Sequence, residues 1–273
     1  MKRYAALAVS LAAMAGVVSC GGGGGDGVVG APSGPSAEGY YAGTLSASGA
    51  PLPVNSTDFQ LLVLENGQFW TFYGVPNAGA LQVQAFTQGT GSSNGSLFIA
   101  SNVRYFSSAA PRTAVVSINY NAAAKTASGS SLDDANSTVS FTSAPLGVPA
   151  YNYASPTALS GVDGNWTVEG VGGDLYDLVV SSNGTFTGVP KVVALPSVNP
   201  ANCSFTGSFL PRASGKNVFD VSLTAGAAPC ALPGLLSSGV AYVSPISGGR
   251  FQLTFATVSA DRNSGAVLSG VRP

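Results

Sequence analysis

Apolar and polar residues alternate along most of this chain with a period of two. Residues 218–223 read Val-Phe-Asp-Val-Ser-Leu, and residues 251–256 read Phe-Gln-Leu-Thr-Phe-Ala. This period places every second side chain on the same face, which is typical of a β-strand with one buried face. No helical period extends over ten or more residues beyond residue 37. The pattern therefore predicts an all-β fold.

The Asn-Gly dipeptides at residues 66–67 and 183–184 each separate a pair of apolar runs. Asn-Gly at such a position predicts a β-hairpin with a type I′ turn, because both residues tolerate positive φ. Each hairpin is preceded by a short strand that opens with glycine and aromatic residues, Gly-Tyr-Tyr at 39–41 and Gly-Asn-Trp at 164–166. The chain therefore contains a structural repeat of two similar halves.

Each half has room for eight short strands. In the first half we predict strands at 39–46, 59–65, 68–74, 80–88, 95–105, 113–120, 124–131 and 137–143. In the second half we predict strands at 163–169, 174–182, 185–189, 203–210, 217–224, 238–244, 250–257 and 264–271. Sequential strands with short turns favour an up-and-down antiparallel barrel, which closes on itself and leaves no edge strand. We predict two tandem eight-stranded barrels, with two β-sandwiches of the same strand count as the alternative.

The N-terminal segment has a different pattern. A basic pair at residues 2–3 precedes an apolar stretch over residues 4–18, which is shorter than the roughly 20 residues of a transmembrane helix. Cys20 follows small residues and precedes a run of glycines. This arrangement resembles the signal peptide and lipobox of bacterial lipoproteins. The resemblance implies a signal peptide over residues 1–19 and a lipid anchor, such as palmitate, on Cys20.

The residue after this cysteine is Gly21 and not Asp, which in that family is typical of delivery to the outer membrane. The resemblance thus implies an outer-membrane protein anchored by lipid on the periplasmic face or the cell surface. Residues 20–37 are mainly Gly, Pro, Ser and Ala, a composition that predicts a flexible tether. We expect a first β domain at 38–145, a proline-containing linker at 146–159 and a second β domain at 160–273.

Two further resemblances concern the body of the protein. The Gly-x-Trp strand at residues 164–166, followed by an Asn-Gly hairpin, resembles the opening of lipocalin-like and avidin-like barrels, which implies a small ligand inside a barrel. The plan of lipid anchor, glycine tether and two β lobes resembles bacterial surface lipoproteins of the transferrin-binding and factor H-binding type, which implies a protein partner.

Composition restricts the chemistry. The chain has no histidine, which excludes Ser-His-Asp and Cys-His catalysis by its own residues and removes the commonest transition-metal ligand. Charged residues make up 8% of the chain. Loss of Lys2 and Arg3 with the signal peptide would leave 9 basic and 12 acidic residues, a net charge of −3, from the 11 and 12 of the whole chain. This balance argues against a nucleic-acid partner.

Three groups of residues remain as candidates for a site or a crosslink. Cys203 and Cys230 predict a disulfide in an exported chain, because the free-thiol alternative lacks Cys-x-x-Cys spacing. The acidic pair at residues 133–134 could supply oxygen ligands to calcium, but the spacing of a calcium loop is absent and a solvated turn is favoured.

Aromatic residues crowd one predicted strand, with Trp70, Phe72 and Tyr73 following Phe69. Rings on both faces require one set to point into a barrel and the other to point outward or into a contact between domains. The outward alternative predicts a contact with a protein or glycan partner. Trp166 is expected to close the second barrel.

These observations predict no catalytic residue, no metal and no cofactor. The leading hypothesis is a non-enzymatic binding or interaction module of the bacterial envelope. The alternative is a carrier of a small apolar ligand in a barrel cavity.

Overall fold

The structure is built almost entirely of β-strands. The computed structural model describes residues 36–48, 55–146, 150–191 and 203–272. The predicted signal peptide, Cys20 and the tether up to residue 35 lie outside the described residues. No helix in the described part is long and apolar enough to cross a bilayer.

The first lobe is a closed antiparallel barrel. Its strands are β1 (Gly39–Ser48), β2 (Asp58–Val63), β3 (Gln68–Asn77), β4 (Ala80–Thr90), β5 (Ser92–Asn94), β6 (Leu97–Phe106), β7 (Arg112–Asn121), β8 (Thr126–Asp133) and β9 (Thr138–Ala144). Neighbours in sequence pair along the sheet, β1 pairs with β9, and β4 pairs with β6 to close the ring. The short β5 forms a hairpin with β6 outside this ring of eight.

The second lobe is a closed barrel with the same topology. Its strands are β10 (Gly164–Gly170), β11 (Leu175–Val180), β12 (Thr185–Pro190), β13 (Phe205–Pro211), β14 (Phe219–Ala225), β15 (Leu236–Pro245), β16 (Phe251–Ser259) and β17 (Gly265–Arg272). Pairing of β10 with β17 closes it. Two short 3₁₀ turns, Leu159–Gly161 and Ser247–Gly249, complete the described secondary structure.

The prediction of two tandem eight-stranded antiparallel barrels is confirmed, and the β-sandwich alternative is wrong because the terminal strands of each lobe pair. Strand β5 was not predicted. The strand predicted at 95–105 corresponds to β6, which begins only at Leu97. Residues 95 and 96 form the tight turn between β5 and β6. Three-residue β5 carries no apolar alternation that could have indicated it.

Both Asn-Gly hairpins form, but with a different turn from the one predicted. The amide of Gly67 donates to the carbonyl of Leu64, and the amide of Gly184 donates to that of Ser181. Only the glycine of each pair has positive φ, +77° and +87° respectively. This is a type I turn followed by a left-handed glycine, the three-residue hairpin loop. The asparagine side chain instead accepts the amide two residues on, in an Asx turn.

The internal repeat extends to side-chain contacts. In the first lobe the Tyr41 hydroxyl donates to the carbonyl of Ala37, 2.9 Å away. In the second lobe Trp166 Nε1 donates to the carbonyl of Val162 at 2.8 Å. In both cases a buried ring on the opening strand bonds to the backbone four residues earlier, which fixes the chain as it enters the barrel.

A third apolar core lies between the lobes. It joins outward-facing side chains of β2–β4 to those of β15–β17 and to the chain between the barrels. Tyr40, Tyr151 and Tyr242 form its centre, with ring centroids 4.7–5.7 Å apart. Tyr151 and Tyr153 belong to the segment predicted as a linker, and both are buried. That segment is therefore packed between the barrels.

Polar contacts also cross this boundary. The buried Gln252 side chain bonds twice to the backbone of Leu81: Oε1 accepts its N–H at 3.0 Å, and Nε2 donates to its carbonyl at 2.6 Å. The Tyr242 hydroxyl donates to Gln60 Oε1 at 2.6 Å. Arg212 Nε lies 2.9 Å from Glu65 Oε1. The lobes are thus fixed in both orientation and register.

The interlobe tyrosines predict a loss of stability in alkali. Burial raises the pKa of Tyr242 well above its usual value of 10.0. Above about pH 10 the unfolded chain therefore loses this proton while the folded chain keeps it, and the free energy of unfolding falls by about 1.4 kcal/mol per pH unit for each such group. We expect Tyr242→Phe to cost roughly 1 kcal/mol at neutral pH, through loss of the bond to Gln60.

Above about pH 10 the free energy of unfolding should fall less steeply with pH for the variant than for the wild type. The difference should be the contribution of one tyrosine, about 1.4 kcal/mol per pH unit. Urea unfolding at a series of pH values measures both slopes. Parallel curves for the two proteins would contradict burial of this hydroxyl.

Candidate ligand-binding cavity

A cavity of about 380 Å³ lies at one end of the second barrel, against the first lobe. The barrel wall, the β10–β11 turn, the loop after β14 and the start of β17 surround it. Its larger apolar lining residues are Phe86, Phe106, Val171, Phe205, Leu223, Leu232, Leu235, Val267 and Leu268. The polar lining consists of serines, Tyr176 and Asp174.

The opposite end of this barrel is closed. The guanidinium carbon of Arg272 lies 4.2 Å from the centre of the Trp166 ring, a cation–π contact. The same guanidinium donates to the carbonyl of Gly161 at 2.8 Å and to that of Asp163. Trp166 is buried, as predicted for a residue that closes the barrel.

Aromatic side chains fill the middle of the barrel. Phe209 contacts both Phe186 and Phe255, with ring centroids 4.5 and 5.5 Å apart. Beyond these rings the lining side chains become smaller, and Ala225, Ser237 and Ala266 stand where a larger residue would fill the space. The cavity exists because close packing of the interior stops before the barrel ends.

The corresponding end of the first lobe is filled. Tyr73 and Tyr105 lie with ring centroids 6.2 Å apart. The Arg112 guanidinium and the Asp133 carboxylate pair beside them at 2.9 Å. The space left among these side chains is about 10 Å³, which is too small for any ligand. The two halves of the repeat therefore differ in whether this end is occupied by their own side chains.

A disulfide holds one wall of the cavity. Cys203 and Cys230 are bonded, as predicted, and Cys203 lines the cavity. The loop after Cys230 contributes Leu232, which is 50% exposed, and Leu235. The rim of the cavity is therefore apolar on its solvent side.

The first lobe supplies the facing wall. The rings of Phe86 and Phe106 are stacked with centroids 4.7 Å apart, and both are buried. They approach the backbone of Gly265 so closely that a Cβ there would lie 2.8 Å from Phe86 Cζ. Glycine at the start of β17 is thus required for the two lobes to meet at the cavity.

The charge of the cavity comes from a single residue. Among the residues that line it, Asp174 is the only one with an acidic or basic side chain. Burial raises the pKa of the neighbouring Tyr176, and the negative charge of Asp174 raises it further. The Tyr176 hydroxyl is therefore neutral and available for hydrogen bonding.

The aromatic residues predicted to contact a partner are placed elsewhere. Trp70, Phe72 and Tyr73 are 2%, 0% and 3% exposed. Tyr73 points into the first barrel, while Trp70 and Phe72 point outward into the interlobe core. The prediction that these rings form an exposed contact is wrong, because the second lobe covers the outer face of β3. The alternative of core and interdomain packing describes them.

The acidic pair at 133–134 forms an internally bonded turn. Asp133 accepts the amides of Ala135 and Ser137, besides pairing with Arg112. Asp134 accepts the amide and hydroxyl of Thr113, which lower its pKa. Within the described ranges no three His, Cys, Asp or Glu side chains are grouped so that they could hold a metal ion.

A cavity inside a barrel was the alternative hypothesis, but the residues that line it were not predicted. Tyr176 and Phe205 were assigned to strands, and the sequence pattern placed Asp174 and Asp177 on opposite faces of the strand that carries Tyr176, which argued against an acid–base pair but indicated no cavity. The available signal was the small size of inward-facing residues at one end of β14, β15 and β17. That signal becomes readable only when the strand ends that meet in space are known.

Comparison with known proteins gives no family. No protein-family model matches the sequence, and no curated protein matches it. A proposed outer membrane protein of Bacteroides fragilis NCTC 9343 is 11% identical over 87% of this chain and 98% of that chain, with a TM-score of 0.30. A mutant of the vaccine antigen transferrin-binding protein B from Haemophilus parasuis Hp5 is 10% identical over 88% and 76%, with a TM-score of 0.27.

Immune modulator A of Aeromonas veronii is 12% identical over 85% of this chain and 93% of that chain, with a TM-score of 0.31. Likenesses of this size define neither a ligand nor a partner, and the function has to follow from the residues of this chain.

The disulfide should contribute strongly to stability. Its cysteines are 27 residues apart, and closing a loop of this length stabilises the folded state by about 3–4 kcal/mol through the entropy of the unfolded chain. We expect the double substitution Cys203→Ser and Cys230→Ser to lower the free energy of unfolding by that amount in urea. Equal stability of wild type and double variant would show that the crosslink constrains nothing.

Proposed function

We propose that this chain is a lipid-anchored binding protein of the bacterial envelope that holds a small, largely apolar molecule in the cavity of its second barrel. The observation that carries the proposal is the cavity itself. Its volume of about 380 Å³ falls within the roughly 300–1,000 Å³ of small-molecule sites, which are mostly apolar with few polar groups.

The N-terminal pattern supports the location. The lipobox-like segment ends at Cys20, and the glycine-rich residues 20–35 would separate the barrels from the lipid surface. The disulfide between Cys203 and Cys230 fits a compartment outside the reducing cytosol. Gly21 favours the outer membrane, by resemblance to other lipoproteins.

A non-enzymatic role is favoured by the chemistry of the lining. Hydrolysis by carboxylates uses two acids facing one another across a cleft, whereas the cavity is lined by Asp174 alone among acids. The chain also has no histidine to act as a general base. Binding without turnover therefore matches the residues present.

One observation favours a second function, the binding of a protein partner. Ile99, Val115 and Leu132 lie on the neighbouring strands β6, β7 and β8 and are each about half exposed. Val115 and Leu132 are directly paired. Exposed aliphatic side chains grouped on a barrel wall are a feature of protein contacts, although the three together form a small patch.

Binding in the cavity predicts uptake of a neutral apolar probe. N-phenyl-1-naphthylamine fluoresces in apolar surroundings, and its emission should rise with the purified, delipidated protein. Ala266→Phe places a ring in the cavity and should weaken probe binding about tenfold or more, because the lining loses the volume that the probe needs. Ala124→Phe, on an exposed turn of the first lobe, is the matched control.

Urea unfolding should show that both variants fold. Equal probe binding by wild type and the Ala266→Phe variant would place the probe outside the cavity and refute the proposed site.

The anchor predicts acylation at one residue. In a Gram-negative host fed radiolabelled palmitate, the full-length chain should carry label and sediment with membranes, whereas Cys20→Ala should remove both properties. Cys230→Ser, which leaves the N-terminus intact, is the control and should retain the label. Unlabelled wild-type protein would refute the anchor without affecting the cavity.

A further inference from the structure

We infer that the cavity selects an organic cation, a molecule with an apolar body and a protonated amine or quaternary ammonium that lies against Asp174. This inference rests on the proposed function, since it specifies the chemical class of the molecule that the cavity holds. Three features of the lining support it: the sign of its charge, its aromatic rings and its lack of any basic group.

The charge of Asp174 is not neutralised by the protein. Within the described part of the chain, no Lys or Arg nitrogen lies within 4.0 Å of its carboxylate, whereas Asp177 on the same hairpin pairs with Lys191 at 3.2 Å. Five of the other ten acids in the described ranges are ion-paired, among them Glu65 and Asp220 with Arg212. Asp174 therefore offers an ionic partner to a molecule in the cavity.

The rings of the lining complement a cation. Tyr176 lies close enough to Asp174 for its charge to raise the tyrosine pKa. The Tyr176 ring packs edge to face against Phe205, with centroids 5.3 Å apart. A cation within about 6 Å of such ring centres is attracted by their negative faces. A carboxylate together with aromatic rings is thus suited to an alkylammonium group.

An anion would be disfavoured at the same place. No Lys or Arg lines the cavity, so a carboxylate or phosphate entering it would lose water without gaining an opposite charge. It would also meet the like charge of Asp174 where apolar walls limit screening. Fatty acids are therefore expected to bind more weakly than amines of the same chain length.

The test compares three competitors that differ only in the head group. Decylamine, decanol and decanoate displace bound N-phenyl-1-naphthylamine from the delipidated protein at neutral pH and concentrations below micelle formation. We expect decylamine to displace the probe at about five- to tenfold lower concentration than decanol, and decanoate to be the weakest, since a partly exposed ion pair contributes up to about 1 kcal/mol and the rings add to it.

Substitution of one residue should remove the preference. Asp174→Asn keeps the size of the side chain and removes its charge, so decylamine should lose its advantage while decanol binds as before. Asp174→Glu keeps the charge and should retain the preference. Asp177→Asn changes the net charge equally on the solvent side of the strand and should leave all three competitors unchanged.

The possible failures are distinguishable. If the probe binds and Ala266→Phe blocks it, but the three competitors are equal or decanoate is strongest, the cation preference is refuted and the proposed function stands. An unchanged decylamine preference in the Asp174→Asn variant refutes the role of that carboxylate. If the probe fails to bind or is insensitive to Ala266→Phe, the proposed function itself is refuted.

Discussion

The apolar contact between the two barrels is the constraint on which the rest of the structure depends. The outer face of β3 carries Trp70 and Phe72, and burial of rings of this size stabilises a fold by about 1.5–3 kcal/mol each. Left in water, that face would be an aggregation-prone patch. The second lobe covers this face. The two hydrogen bonds between the Gln252 side chain and the Leu81 backbone select one register among those that apolar packing would allow. Because the Leu81 groups are buried, a shift of register would leave them unpaired.

The same contact creates the cavity. Phe86 and Phe106 belong to the first lobe, yet they form a wall of a space that opens at the end of the second. Gly265 allows their rings to reach the backbone of β17, where a Cβ would lie within 3.0 Å of both rings. Neither barrel alone would enclose this volume. The binding site is thus a property of the pair, in the way that small-molecule sites often lie at domain boundaries.

The all-β architecture could be predicted from the sequence because its signals are local. Alternation of apolar residues predicts the ends of strands to within a few residues, and Asn-Gly indicates a hairpin without knowledge of the rest of the chain. The turn type was wrong because the three-residue loop and the type I′ loop use the same dipeptide, and the choice depends on pairing around Gly67 and Gly184. The sequence left open whether Trp70 and Phe72 contact a separate partner or the second lobe, because outward-facing rings are equally compatible with both. A barrel cavity was predicted only as the alternative hypothesis, and its position and lining could not be predicted, since its walls come from residues as distant in sequence as Phe86 and Leu268.

The repeat explains how one lobe can be open while the other is closed. Both lobes have the same strand order, the same hairpin turn and the same ring-to-backbone bond at the opening strand, made by Tyr41 and Trp166. At the end away from that ring, the first lobe places Tyr73 and Tyr105 inside, whereas the second places small residues there. A filled barrel leaves no room for a ligand. Its outer wall can, however, enclose a space at the end of a neighbouring barrel whose own packing stops short. The first lobe therefore acts as the support against which the second can leave space, and the two identical topologies serve different physical purposes.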